Sequence, residues 1–476
     1  MINQAYKKVG FWFGLILFFW VLLSDPPQSI SHQAWLVASV TLLMAVWWGT
    51  ESIPLPVTAL LPLALFPLMN IMSFKDAASS YASPSVYLFL GGFILALAIQ
   101  SSGLHKRMAL SVITSFNNSA SGIVGILMAI SFFISMWVMN TSTTLMLLPI
   151  CLALSTNINE SLPNINKKDS KSFEIALFLG IAYASSMGGM SSLIGTAPNI
   201  VFAGFMLENF AIEISFIDWM KIALPIGLTM FIIGYLVLTK LLYPIKFDMN
   251  IEAKRKINQS LYKLGPMNVD EKKVLVLFMV TAFFWVSRAY LNDIPILANL
   301  TDAGIAIIAA IVLFIIPSRN KKTELLVWED TKQLPWGLLI LFGGGLSLAK
   351  AINSSGLGQW LGESFILAVN FEPWIIVLLI VTLIIFLTEL TSNTATTSTF
   401  LPIVASIGVA ASISPLHIAI PIVLASSLAF MLPVATPPNA IVYGSGKLSI
   451  KDMIKAGFVL NIFGIITITS AYILFF

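Results

Sequence analysis

Thr388-Glu389-Leu390-Thr391-Ser392-Asn393-Thr394-Ala395-Thr396-Thr397 sits between two apolar runs, residues 375–387 and 400–409. Each run is shorter than the roughly 20 residues a helix needs to cross a bilayer. Together they can enter and turn back, which makes the polar stretch the tip of a re-entrant hairpin at membrane depth. Backbone that leaves the helix there is tolerated only where protein buries it or where it lines a cavity. Hydroxyls and an amide crowded at such a tip suit ligand or ion coordination. The plainer alternative is a Ser/Thr-rich helix contact, where small side chains let helices approach.

Composition favours the membrane. Hydrophobic residues make up 58% of the 476 and charged residues 10%, against about 25% charged in a soluble domain. The expected class is an all-α polytopic membrane protein. The net charge of +4 needs no nucleic-acid partner, because the basic residues fall mostly in loops. Cys151 is the sole cysteine, and His32, His105 and His417 are far apart in sequence. That argues against a disulfide framework or a thiolate metal centre. Residues 11–23 follow Lys7 and Lys8 and precede Ser24-Asp25-Pro26-Pro27. With no small-residue cleavage site, they read as a retained first helix.

Outward from the opening stretch, hydropathy predicts about eleven transmembrane helices plus two re-entrant hairpins. Residues 1–83 are N-terminal scaffold helices, including a proline-rich third span at 53–69. Residues 84–242 form a first repeat: a broken span 4, a hairpin at 123–154, a span broken near 196–199, and a sixth span. A basic linker, 243–273, and further scaffold helices, 274–333, lead to a second repeat at 334–476 with its hairpin at 375–409. The segments at 156–172, 246–273, 317–334 and 445–455 are lysine- or arginine-rich. This places them inside, with the N-terminus cytoplasmic and the C-terminus outside, provided both hairpins return to the side they entered. Trp35, Trp47 and Trp48 read as interfacial belt residues. The basic segment 246–273 reads as a cytoplasmic loop at the membrane surface, in contact with lipid. The compact chain and plain loops suit a bacterial inner (plasma) membrane.

The two halves repeat. A shift of 253 residues carries Gly91-Gly92 onto Gly344-Gly345, Asn140-Thr141 onto Asn393-Thr394, and Leu148-Pro149 onto Leu401-Pro402. Beyond the hairpin the shift becomes 240 and carries Thr196 onto Thr436 and Pro198-Asn199 onto Pro438-Asn439. Five spans separate the copies, so they run antiparallel. Inverted repeats with paired hairpins and broken helices mark a secondary transporter with a site near the midplane.

The chemistry at the four interruptions is consistent with that. Half-helix N-termini favour anions. The hydroxyls of Thr141, Thr196, Ser392, Thr394 and Thr436 and the amides of Asn140 and Asn393 can hydrogen-bond carboxylate oxygens. Unwound carbonyls near Gly195 and Ala435 can hold a hard cation, and oxygen-only ligation suits sodium rather than a transition metal. No lysine or arginine stands at either tip or break. A dianion would therefore lack a fixed counter-charge, which cotransported sodium could supply.

Ser392-Asn393-Thr394, the related Met139-Asn140-Thr141, and the pair Gly195-Thr196-Ala197-Pro198-Asn199 and Ala435-Thr436-Pro437-Pro438-Asn439 resemble the divalent anion/sodium symporter family. That family includes the sodium-coupled di- and tricarboxylate transporters, and the resemblance covers essentially the whole chain. It implies a homodimer, a scaffold and a transport domain, and elevator-type movement. It implies a substrate set of Asn140, Thr141, Thr196, Ser392, Asn393, Thr394, Thr436 and Pro437. It also implies one sodium site at Ser135, Asn140 and Gly195, and another at Thr388, Thr391, Asn393 and Ala435. The implied function is sodium-coupled transport of a C4-dicarboxylate. The alternatives are a sodium-independent or proton-coupled exchanger and a citrate or sulfate carrier.

Two residues depart from expectation. Met139 stands where the first tip would usually carry serine, which puts the first sodium site in doubt. Glu389 is an acid at membrane depth, a functional position by default. The shift of 253 pairs it with Met136. It is expected to form a salt bridge within the transport domain, with direct ion coupling as the second reading. An enzyme would need a nucleophile–base pair or a metal set in the spans, and the sequence offers none.

Overall fold

The computed structural model describes residues 2–27, 29–113, 119–161, 166–247, 265–319, 323–364 and 371–476. In the first half, α1 (Ile2–Leu23), α2 (His32–Thr50), α3 (Leu55–Thr58), α4 (Leu61–Leu68) and α5 (Phe74–Ser79) lead to α6 (Pro84–Ser101) and α7 (Leu104–Ile113). Next, α8 (Ala120–Ser135) and α9 (Asn140–Ser161) flank the first tip, and α10 (Lys167–Met190) and α11 (Ala197–Phe210) flank the first break. After them, α12 (Phe216–Leu236) runs into a π-helical segment, Val237–Leu242. The second half holds α13 (Val269–Leu291), α14 (Asp302–Leu313), α15 (Trp336–Ser354) and α16 (Leu357–Ser364). There α17 (Pro373–Thr388) and α18 (Asn393–Ala410) flank the second tip, α19 (Pro415–Ser426) and α20 (Pro437–Gly444) the second break, and α21 (Ile450–Phe475) follows.

Among the described residues, eight helical stretches are long and apolar enough to cross a membrane. Both tip-flanking helices α8 and α17, at 16 residues each, fall short of that length. The element starts follow ordinary capping chemistry. Ser119, Ser215, Ser392 and Ser449 each accept a hydrogen bond from an amide at the start of their helix, worth about 1 kcal/mol apiece. Asn268 and Glu271 form a reciprocal capping box at α13, so that helix begins five residues before the expected 274. Most of the expected linker, 248–264, lies outside the described residues.

Three expectations change. The third span, 53–69, is two short helices, α3 and α4, each with proline at its first or second position, where the missing N–H costs nothing. The expected polar loop at 156–172 is helical at both ends, with α9 reaching Ser161 and α10 starting at Lys167. Trp47 and Trp48 are not belt residues. Trp48 is fully buried and donates to the Leu55 carbonyl at 3.2 Å, and Trp47 stacks on Phe11.

The repeat is visible in backbone geometry. Gly103 ends α6 at φ +80° and Gly356 ends α15 at φ +82°, 253 residues later. Only glycine adopts this left-handed geometry without cost. In both copies the preceding serine, Ser102 or Ser355, accepts the N–H of the next helix's first residue at 3.4 Å. Side chains divide into two apolar cores. One joins α1–α4 to α15 and reaches Ala395 of α18. The other contains α8–α12 and α17–α21 around α10, whose apolar stretch is wholly buried.

Candidate functional site

Both tips and both breaks meet at one cavity of about 490 Å³. The first tip contributes Met139, Asn140 and Thr141, and the first break Ile194, Gly195, Thr196 and Ala197. The second tip contributes Ser392, Asn393 and Thr394, and the second break Pro433 through Pro438 and Ala440. Every residue of the expected substrate set is on this wall. Of the expected sodium ligands, Asn140, Gly195, Asn393 and Ala435 also line it.

Ser135 and Thr388 stand one shell back and hold the asparagines. Ser135 donates to Asn140 Oδ1 at 2.7 Å, and Thr388 donates to Asn393 Oδ1 at 2.8 Å. Each amide oxygen keeps a second lone pair that a cation could use, and each amide nitrogen has donors that an anion could use. Thr144 and Thr397 repeat the pattern behind the tips, donating to the Asn140 and Asn393 carbonyls at 2.9 and 3.0 Å. Thr391 is not brought onto the wall; its hydroxyl donates to the Leu387 carbonyl at 3.1 Å. Gly189 has no side chain because the Asn140 amide occupies the space a Cβ would need.

Each break is pinned by its asparagine. Asn199 Nδ2 donates to the carbonyls of Ser192 at 2.7 Å and Gly189 at 3.3 Å. Asn439 Nδ2 donates to those of Leu432 at 3.1 Å and Ala429 at 3.0 Å. Each pair of acceptors is related by the shift of 240. The breaks nevertheless differ in length. Non-helical backbone runs from residue 191 to 196 in the first and from 427 to 436 in the second.

Glu389 accounts for that difference, and the expected salt bridge is not what it makes. Its buried carboxylate accepts the N–H groups of Phe430, Met431 and Leu432 at 2.7 to 3.1 Å, and the Asn461 amide at 2.7 Å. These backbone donors lost their helical acceptors when α19 ended early, and an acceptor-only carboxylate replaces them. Met136, at the matched position in the first repeat, offers no such group, and α10 continues to Met190.

Among the lining residues the charge is a single acid, Glu51, which pairs with Lys7 at 3.3 Å. Sequence reasoning missed Glu51, Leu55, Phe93 and Leu338 on this wall. No motif marks them. Glu51 does end α2 in the left-handed region, at φ 46°, a conformation few non-glycine residues adopt.

Comparison with known proteins identifies the family. The model of the sodium:sulfate symporter transmembrane region matches residues 7–475. The sodium-dependent dicarboxylate transporter SdcS of Staphylococcus saprophyticus is 41% identical over 98% of this chain and 91% of its own length. SdcS of Staphylococcus aureus strain USA300 is 40% identical over 98% and 90%. Two solved structures share the fold alone. The YdaH transporter of Alcanivorax borkumensis has a TM-score of 0.61 at 16% identity, covering 93% of this chain and 98% of its own. MtrF of Neisseria gonorrhoeae has a TM-score of 0.62 at 14% identity, covering 94% and 96%. Matched over nearly its whole length, the chain belongs to the sodium:sulfate symporter family, the divalent anion/sodium symporters that its paired tip and break motifs resemble.

Proposed function

We propose that this protein is a secondary active transporter that carries a C4-dicarboxylate, of the succinate, malate or fumarate kind, coupled to sodium. The observation that carries the reading is the convergence of four helix N-termini, those of α9, α11, α18 and α20, on one cavity with no lysine or arginine among its described lining residues. Helix N-termini supply N–H donors and positive potential for carboxylates. A dianion held that way needs cations beside it, and the oxygens of Asn140, Gly195, Asn393 and Ala435 suit sodium. The volume lies within the ordinary range for small-molecule sites. The names of the SdcS relatives support both the substrate class and the ion.

In this reading the chain spans a bacterial plasma membrane about eleven times, with two re-entrant hairpins and inverted repeats. The hairpins and broken helices form a transport domain that moves as an elevator against a scaffold, within a homodimer. With the N-terminus cytoplasmic, the pairing of cavity-lining Glu51 with Lys7 near that terminus supports an opening toward the cytoplasm. Uptake of labelled succinate, citrate and sulfate into proteoliposomes, with and without a sodium gradient, tests it. Sodium-stimulated succinate uptake is the expected result. Sodium-independent exchange, or preference for citrate or sulfate, would replace this reading with another member of the same fold.

A further inference from the structure

We propose that the two repeats have divided the ligands. The first repeat carries most of the charge of the anion, and the second carries the tightly held sodium. The inference rests on the cavity being the transport site, and it comes from four matched positions where the repeats differ.

The first is the N-cap of each tip. Ser392 Oγ accepts the Ala395 N–H at 3.3 Å and so uses one of the donors that α18 points at the cavity. Met139 holds the matched position at α9, and a thioether is at best a weak acceptor. The Asn140, Thr141 and Ser142 amides are therefore left for a ligand.

The second and third positions are at the breaks. Pro437 and Pro438 are the first two residues of α20 and carry no N–H, and Thr436 Oγ1 accepts the third, from Asn439, at 3.3 Å. At α11 the first position is Ala197, with an N–H, and the Thr196 hydroxyl makes no capping bond. α20 thus offers the cavity fewer free N–H donors than α11 does.

The fourth is charge. Glu389 lies beneath the second tip, one residue beyond Thr388, and among the described residues no basic side chain pairs with it. Met136 is neutral at the matched place. A buried acid beside helix ends with fewer free N–H donors makes the second repeat the more attractive to a cation. Exposed helix ends without an acid make the first repeat attractive to a carboxylate. Glu389 acts as a positioning residue, through the backbone of Phe430–Leu432 that leads into Ala435.

Two substitutions separate the roles. Ala197→Pro copies the second repeat. Thr196 has φ −146° and ψ 150°, against −141° and 150° for Thr436, which already precedes a proline. The backbone therefore accepts proline, and a donor to the anion is lost. In proteoliposomes, with labelled succinate and sodium chloride as probes, Ala197→Pro should raise the succinate KM at saturating sodium about tenfold. Its sodium half-saturation at saturating succinate should stay within about twofold. Glu389→Gln turns one acceptor into a donor facing other donors. It should raise the sodium half-saturation about tenfold and leave the succinate KM at saturating sodium within about twofold. If Glu389→Gln does not fold, Pro437→Ala, which adds an N–H at the cation end, should move the sodium parameter in the same direction. Both substitutions acting on the same parameter, or each acting on the other's, would overturn the division. Wild-type protein without sodium-stimulated succinate uptake would instead overturn the transport reading on which the division rests.

Discussion

The two tips share one hydrogen-bonding plan and differ in what holds them in place. At the first, Trp137 stacks on Phe216 at 5.6 Å between ring centres and meets Phe278 edge-on at 4.9 Å, which ties the tip to α12 and α13. The matched residue at the second tip is Leu390, which is exposed. There the hold comes from beneath, where Glu389 gathers the unwound backbone. The first tip is fixed by aromatic packing and the second by a polar bracket. The Ser/Thr–Asn pair is common to both; on the proposed reading it serves ligand binding, and the differing supports serve what each half does with its ligand.

The largest expected effect tests what the tips share. Asn393→Ala and Asn140→Ala should each abolish sodium-driven uptake while the protein still purifies as a folded, monodisperse species. Normal uptake by a well-folded Asn393→Ala protein would remove the site assignment at the second tip.

The supports come next. Trp137→Ala should cost about 3 kcal/mol of stability through lost aromatic packing. Leu390→Ala, at the same register, should stay within about 0.5 kcal/mol. Thermal unfolding in detergent measures both, and equal losses would mean that the tips are anchored alike.

Sidedness gives a qualitative contrast. In a Cys151→Ser background, Ser119→Cys and Ser412→Cys mark the far ends of the two hairpins. On the topology proposed from the loop charges, position 412 lies outside and position 119 inside. An impermeant thiol reagent applied to intact cells should label position 412 alone. Equal labelling would break the inverted arrangement.

Met139→Ser carries the smallest effect and sharpens the comparison most. It gives the first tip the hydroxyl of the second. The serine would cap α9 and add an oxygen that sodium prefers. The sodium half-saturation should fall by a few-fold, or the sodium Hill coefficient should rise, while the succinate KM increases. Superimposable sodium curves would leave Met139 with the role of shaping the pocket.

The sequence by itself determined the membrane class, the register of the repeats and the tip and break residues that line the cavity. It could do so because those signals are local. A helix that stops at membrane depth announces itself by Asn-Thr or Pro-Asn between apolar runs, and the two copies lie at constant spacing. The tertiary structure decided where Glu389 finds its partners, since the donors of Phe430, Met431 and Leu432 are orphaned only once α19 ends at Ser426. A salt bridge was the natural expectation from the acid alone, because an early helix end 37 residues downstream leaves no mark beside it. Burial of Trp48, anchoring by Trp137 and the arrival of Glu51 at the cavity are likewise matters of which helix packs against which. An apolar helix looks the same in sequence whether lipid or another helix covers it, because lipid tails are as apolar as the side chains they meet.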